Sequence, residues 1–134
     1  MLVQEMMRTH PAVGGQADAM LMRCIEQCYS CAQTCTSCAD ACLAEDMVKS
    51  LTQCIRLNLD CADVCNITGR LATRHTGSDQ EMIRRMLHTC AAACRLCAGE
   101  CERHAMQHEH CRICADACRQ CMQACEQAGR HMAH

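Results

Sequence analysis

From about residue 17 onward the chain repeats one pattern. An apolar position recurs every three or four residues, and charged side chains fill the faces between. The first run is Cys24, Cys28, Cys31, Cys35, Cys38 and Cys42, in steps of 4, 3, 4, 3 and 4. This is the 3.5-residue period of a helix packed along a bundle seam. A second run has Cys54, Cys61 and Cys65, with Asn58 in phase where a further cysteine would fall. A third has Cys90, Cys94, Cys97 and Cys101, and a fourth Cys111, Cys114, Cys118, Cys121 and Cys125. Glu26, Asp60, Arg95 and Asp116 fall away from the seam, as a solvated face requires, and Ala39, Ala91, Ala115 and Ala117 supply helix formers. Four amphipathic helices are predicted, at about 17–44, 47–74, 79–105 and 108–131.

Punctuation sets the boundaries. Pro11, Gly14 and Gly15 separate a leader with room for a short helix, residues 1–16, from a single bundle domain at 17–134. Ala44-Glu45-Asp46 reads as a tight turn. Gly77 closes the second connection, and Ser78 with Glu81 reads as a capping box that opens the third helix. No Gly or Pro marks the third connection. The phase slip from Cys111 to Cys114, together with equal helix lengths, places a break near 105–108. Helices of ~25 residues joined by short loops predict an all-α, antiparallel up-down-up-down four-helix bundle with a cysteine-lined core. One end then gathers Cys42, Met47, His104, Met106, His108 and His110. The other gathers Met20, Leu21, Ile67, Leu71, Met82, Ile83, Met86, Leu87 and Met132 as an apolar plug.

Composition changes the picture of the core. Of 134 residues, 18 are Cys and 11 Met, with no Trp or Phe and Tyr29 as the only aromatic. A disulfide scaffold belongs to short, secreted, loop-rich chains. Here there is one Pro, no basic-then-apolar leader in Met1 to Gly15, and sulfurs at helical spacing, which suits the S–S dihedral poorly. The expectation is a cytosolic chain with reduced thiols. Charge is nearly balanced, 13 Lys plus Arg against 15 Asp plus Glu, so no basic nucleic-acid footprint is present. No apolar run approaches the roughly 20 residues of a membrane span.

One or two seam cysteines would be small buried hydrophobes and nothing more. Eighteen on four inward stripes give up the burial of larger side chains, roughly 1.5–3 kcal/mol at each fully buried position. Something must exploit the space between the sulfurs. Soft thiolates select Cu(I), Zn(II) or iron–sulfur clusters. Iron–sulfur ligands come as short loop runs, which this chain lacks, and structural zinc wants closed groups of four, which a continuous stripe does not single out. The pairs 24/28, 31/35, 38/42, 61/65, 90/94, 97/101, 114/118 and 121/125 suit Cu(I), because sulfurs four apart on a helix can lean onto one ion. Cys54 and Cys111 are left to bind across helices. Charge points the same way: about one Cu(I) per thiolate neutralises a dry core, whereas zinc at four thiolates leaves two negative charges at every site. Metal is expected to enter a folded apo-bundle at the His/Met end, with His104 and His108 in seam phase and His110 at the rim beside Cys111. Asn58 reads best as a buried amide that sets helix register. His10, His75, His88, His131 and His134 read as surface residues, and Met1, Met6 and Met7 as packing of the leader.

These stripes, from Cys24 to Cys42, Cys54 to Cys65, Cys90 to Cys101 and Cys111 to Cys125, resemble those of the bacterial copper storage proteins, and the absence of an export signal resembles the cytosolic branch. The resemblance covers about 17–132. It implies many Cu(I) ions inside each bundle, an open end bearing His or Met, and assembly into a homotetramer; as a copper store the chain is expected to exchange ions with a copper chaperone or an acceptor cuproenzyme. A thiol-redox enzyme would need a βαβ context around its CxxC. A c-type haem would need His after CxxC, and a di-iron enzyme paired Glu-x-x-His motifs. None of these is present, so no catalysis is expected. A metallothionein-like Zn or Cd buffer, or a thiol-redox enzyme, stays as the alternative, and a regulatory or partner-binding bundle finds no support in the seam.

Overall fold

The structure is a computed structural model and describes residues 1–132; His134 lies outside the described residues. A short helix, α1 (Val3–Thr9), precedes four long ones: α2 (Ala19–Leu43), α3 (Thr52–Ala72), α4 (Gln80–His104) and α5 (Glu109–Met132). Asp18 caps α2, its Oδ1 accepting the N–H of Met20 at 2.9 Å and of Leu21 at 3.4 Å. The cap of α4 differs from the expected Ser78 box. Asp79 caps it instead, accepting from Glu81 N–H at 3.0 Å and Met82 N–H at 3.2 Å. A carboxylate is the better match to the positive helix end, and the Glu81 side chain turns to Arg84 and Arg85 rather than back to the cap. Gly77 takes the expected left-handed conformation, at φ +62°.

The second long helix begins later than predicted. Val48–Leu51 form one 3₁₀ turn, and α3 starts at Thr52. Ser50 Oγ donates to Met47 O at 2.8 Å and Thr52 Oγ1 to Lys49 O at 3.0 Å, local bonds that compete with regular helix. The third connection falls at 105–108, where His108 O accepts the N–H of Cys111 at 3.0 Å and of Arg112 at 3.3 Å.

Each long helix packs on two neighbours: α2 on α3 and α5, and α4 on α3 and α5. Contacts run in opposite chain order along neighbours. Cys24 meets Cys125 while Cys35 meets Cys114, and Cys65 meets Cys90 while Cys54 meets Cys101. Neighbours are therefore antiparallel. The helix edges carry buried alanines, among them Ala39, Ala62, Ala98 and Ala124; their small size lets the backbones close around the axis. At one crossing Gly69 serves the same end, since a Cβ there would sit 3.1 Å from the Tyr29 ring.

The plug is smaller than expected. Leu21, Ile83 and Leu87 are buried, but Met20, Ile67 and Met82 are about half exposed. The leader takes their place. Val3 and Met7 of α1 are buried with Met22 and Ile25, and the Gln4 side-chain amide donates to Glu26 of α2.

Candidate metal centre

All eighteen cysteines are free thiols, and each is buried. They fill the axis of the bundle. Backbones on the diagonals do not touch, yet their sulfurs meet: Cys28 of α2 lies 3.8 Å from Cys90 of α4, and Cys65 of α3 lies 3.9 Å from Cys121 of α5.

The pairing along single helices is weaker than the spacing suggested. Close approach within one helix occurs at Cys31–Cys35 and Cys61–Cys65, both 3.8 Å, and at Cys97–Cys101, 4.0 Å. More sulfurs meet across helices, as at Cys24–Cys125, 3.4 Å, and Cys35–Cys118, 3.6 Å. The physical reason is direction. Side chains on all four helices converge on one axis, where a facing thiol is nearer than the next turn of the same helix.

Facing helices also produce the groups of four that a single stripe could not show. Cys28, Cys90, Cys121 and Cys125 form one; Cys31, Cys65, Cys94 and Cys121 a second; Cys31, Cys35, Cys61 and Cys118 a third; Cys35, Cys97, Cys114 and Cys118 a fourth. Within each set the sulfurs lie within 4.8 Å of one another. The sets are linked end to end, because Cys121, Cys31, Cys35 and Cys118 each belong to two of them. No more than two of the four could therefore be closed tetrahedral sites at once. A metal that shares thiolates between ions can use all of them.

Asn58 is fully buried in this column. Its Oδ1 accepts from Cys97 Sγ at 3.1 Å, Cys114 Sγ at 3.1 Å and Cys101 Sγ at 3.5 Å, and its Nδ2 donates to Cys54 Sγ at 3.7 Å. Hydrogen bonds between thiols polarise the column. Bonds from Cys101 and Cys38 draw the Cys54 thiol well below its usual range, while bonding to Cys114, Cys38 and Cys54 pushes Cys101 up. At the end near the 105–108 turn, burial and then the charge of Cys54 push Cys42 up to about 11.

That end is built around a residue the sequence reading placed only in a turn. Glu45 Oε2 lies 3.1 Å from His108 Nδ1 and 2.9 Å from His110 Nε2. The two rings stack, with centres 5.5 Å apart. His110 donates its Nε2–H to the carboxylate and His108 turns Nδ1 toward it, so in each ring the other nitrogen faces away from Glu45. In His108 that atom, Nε2, is buried without a partner among the described residues. In His110 it is Nδ1, which faces Cys38 Sγ at 3.4 Å and Cys111 Sγ at 3.7 Å. His110 with Cys38, Cys42 and Cys111 forms a further set of four donors. His104, although in seam phase, bonds instead to Glu100 Oε2 of its own helix at 2.9 Å. The out-of-phase His110 reaches sulfur because it stands at the first turn of α5. Glu45 was findable in principle: its turn and the 105–108 turn are forced to the same end by the topology. Met106 beside it is 98% exposed, and Met47 48%.

Comparison with known proteins agrees with this geometry. The profile of the copper storage protein family matches residues 17–130. A Streptomyces lividans copper storage protein, solved loaded with 10 copper equivalents, is 53% identical, with a TM-score of 0.90 over 93% of this chain and 96% of that one. A further structure of a cytosolic copper storage protein from Streptomyces lividans, with five coppers, is 56% identical, with a TM-score of 0.80 over 81% of this chain and 90% of that one. An uncharacterised cysteine-rich protein of Bacillus subtilis, YhjQ, is 37% identical over 88 residues, covering 66% of this chain and 76% of that protein.

Proposed function

Starting from the premise that this chain belongs to the copper storage protein family, we propose that it holds Cu(I) as one continuous thiolate-bridged array, at about one ion per cysteine. The observation that carries this reading is the sharing of Cys31, Cys35, Cys118 and Cys121 between overlapping sets of four sulfurs. An ion that binds two or three bridging thiolates fills such a column completely and cancels its charge as it fills. The array takes in Cys24, Cys28, Cys31, Cys35, Cys38, Cys42, Cys54, Cys61, Cys65, Cys90, Cys94, Cys97, Cys101, Cys111, Cys114, Cys118, Cys121 and Cys125. Neutral thiols are inexpensive to bury, so the empty bundle stands ready. Each ion that enters displaces roughly one thiol proton.

Entry is at the Glu45 end. Met106 and Met47 offer exposed thioethers, His108 offers an unpartnered Nε2, His110 offers an Nδ1 already against the Cys38 and Cys111 thiols, and Cys38, Cys42 and Cys111 lie next inward. Donor strength rises along that path, from thioether to imidazole to thiolate. His104, tied to Glu100, has at most an outer role. A cytosolic relative this similar supports the cytosol as the compartment, and a Cu(I) store there would exchange its ions with a copper chaperone or an acceptor cuproenzyme. Assembly into a tetramer draws support from half-exposed Leu59, Ile67, Leu96 and Ile113 on the outer faces.

Anaerobic Cu(I) titration against a tight competing chelator, with Zn(II) in parallel, tests the reading. Uptake of well over ten Cu(I) ions with only a few Zn(II) is expected. Saturation at two to four ions of either metal would establish discrete sites and a zinc buffer instead.

A further inference from the structure

Soft donors gather at one other place, far from the Glu45 end. Where α1 folds back on the bundle, Met7, His75 and Met132 line one cavity of about 310 Å³, bounded also by Leu21, Ile83 and Asp18. Met7 is 2% exposed. His75 Nε2 is buried and has no hydrogen-bond partner among the described residues. The neighbouring His10 meets the His75 ring edge-on, at 5.7 Å between centres. Its own nitrogens are engaged: Nδ1 accepts the Ala12 N–H at 3.0 Å, which leaves Nε2 to donate to the Thr76 hydroxyl at 3.4 Å. His75, by contrast, keeps a nitrogen free. Burial, and then the charge of His10, hold its imidazole below the ordinary histidine range, so the ring is neutral at pH 7. A buried ring nitrogen without a partner is costly unless a hydrogen-bond partner or a metal answers it, and in the tautomer with the proton on Nδ1 it presents a lone pair.

We propose that this cavity is a second, separate soft-metal site, in which His75 Nε2 and the thioethers of Met7 and Met132 hold one monovalent ion, Cu(I) or Ag(I). Thioether and neutral imidazole select a soft, singly charged ion, while a divalent cation would find a single good ligand. The three donors are neutral, and Asp18, whose Oδ2 lies 3.5 Å from His131 Nε2, supplies negative charge at the cavity wall. None of the donors must lose a proton. Binding here is therefore proton-neutral, unlike filling of the thiol column, and weaker than thiolate binding, so this site fills last. The site goes beyond the column and does not depend on its capacity.

The test uses the whole chain labelled with ¹³C-methyl methionine and ¹⁵N-histidine, preloaded with Ag(I) until chelator competition shows the thiols saturated. Further Ag(I) is then added at pH 7. The Met7 and Met132 methyl signals and the His75 ring nitrogen are expected to move together, to level off at about one further equivalent, and to do so without proton release. In His75→Gln the methyl shifts should vanish while column capacity is unchanged. In the Met7→Leu/Met132→Leu double variant the His75 nitrogen should stay put, which covers the case in which the glutamine disturbs the leader. The proposal is overturned if Met7 and Met132 do not move while exposed Met1, Met6 or Met106 do, a result that leaves only water on His75. Shifts that persist in His75→Gln would overturn it equally. Column capacity is read in the preloading step, so failure of one reading is distinguishable from failure of the other.

Discussion

Asn58 Oδ1 lies 3.1 Å from the Sγ of Cys114, on the helix diagonally across the bundle. The same oxygen takes Cys97 and Cys101 from α4, and the amide nitrogen reaches Cys54 on its own helix. One side chain thus joins three helices at the axis, the register role that a single polar seam residue can play. Replacing it with Ala leaves a void and removes the acceptor of three S–H groups. Asn58→Ala should lose roughly 2 kcal/mol in the apo-protein. With Cu(I) bound as proposed, the metal would hold those sulfurs and the loss should be much smaller. Urea denaturation of both forms under anaerobic reduction checks this, and equal losses in the two would refute it.

Cys118 and Cys125 should contribute unequally to Cu(I) capacity. Cys118 belongs to two of the four central sulfur sets and lies 3.7 Å from Cys31 and 3.6 Å from Cys35; Cys125 belongs to one of the four. Cys118→Ser should lower Cu(I) capacity by about two to three ions and Cys125→Ser by about one, because a bridging thiolate serves several ions. Chelator-competition titration of the two variants decides it. Identical losses would mean that the sulfurs act as isolated pairs.

Glu45 fixes which nitrogen each mouth histidine presents. Removing the charge while keeping the shape, as in Glu45→Gln, should slow Cu(I) uptake about tenfold, the usual cost of losing an orienting carboxylate. Total capacity should change by no more than about one ion. Stopped-flow uptake from a Cu(I) donor measures the rate. An unchanged rate would remove Glu45 from the entry path.

Alkaline pH should weaken the empty bundle. Burial and then the charge of Cys54 raise the Cys42 thiol to about 11, against 9.0 unperturbed. Burial likewise raises Cys111, followed by the charges of Cys54 and Cys42. The unfolded chain gives up these protons near pH 9 while the fold retains them. Their stabilising contribution is complete below pH 9 and is lost as pH climbs through about 11. Melting temperatures of the apo-protein should fall across that window, whereas those of the Cu(I)-loaded protein, already thiolate, should not. A flat apo profile would contradict the buried-thiol account.

Three helical glycines respond differently to an added methyl. Around Gly99 and Gly129, among the described residues, nothing beyond the helix's own nearby backbone lies within 4 Å of where a Cβ would stand, while at Gly69 the Tyr29 ring stands 3.1 Å away. Gly99→Ala and Gly129→Ala should each stabilise the fold by about 0.5–1 kcal/mol. Gly69→Ala should give no gain or a loss. Thermal melts of the three apo variants settle the order.

Periodicity alone determined the bundle. The 4, 3 steps at Cys24 to Cys42 and at Cys90 to Cys101 admit one helical face, and a face of eighteen thiols in a chain without Phe or Trp leaves little other than sulfur to occupy the centre. The charge of those thiolates then argues for a monovalent soft ion. Local order cannot reveal which sulfurs meet. Cys35 finds Cys118 and Cys114, and Cys65 finds Cys90 and Cys121, because the contact depends on how far one helix slides past another. That offset is set by Asn58, by the Gly69–Tyr29 approach and by turns whose caps, such as Asp79 in place of Ser78, shift a helix start by a residue. The same holds at the ends. His110 is out of seam phase and still reaches Cys38, whereas His104 is in phase and turns to Glu100; a side chain at a helix terminus answers to the turn opposite it rather than to the seam. Met7 and His75, nearly seventy residues apart, share a cavity only because the leader folds back onto α2. A repeat specifies which faces are buried; the three-dimensional packing of those faces specifies the neighbours, and a metal site is made of neighbours.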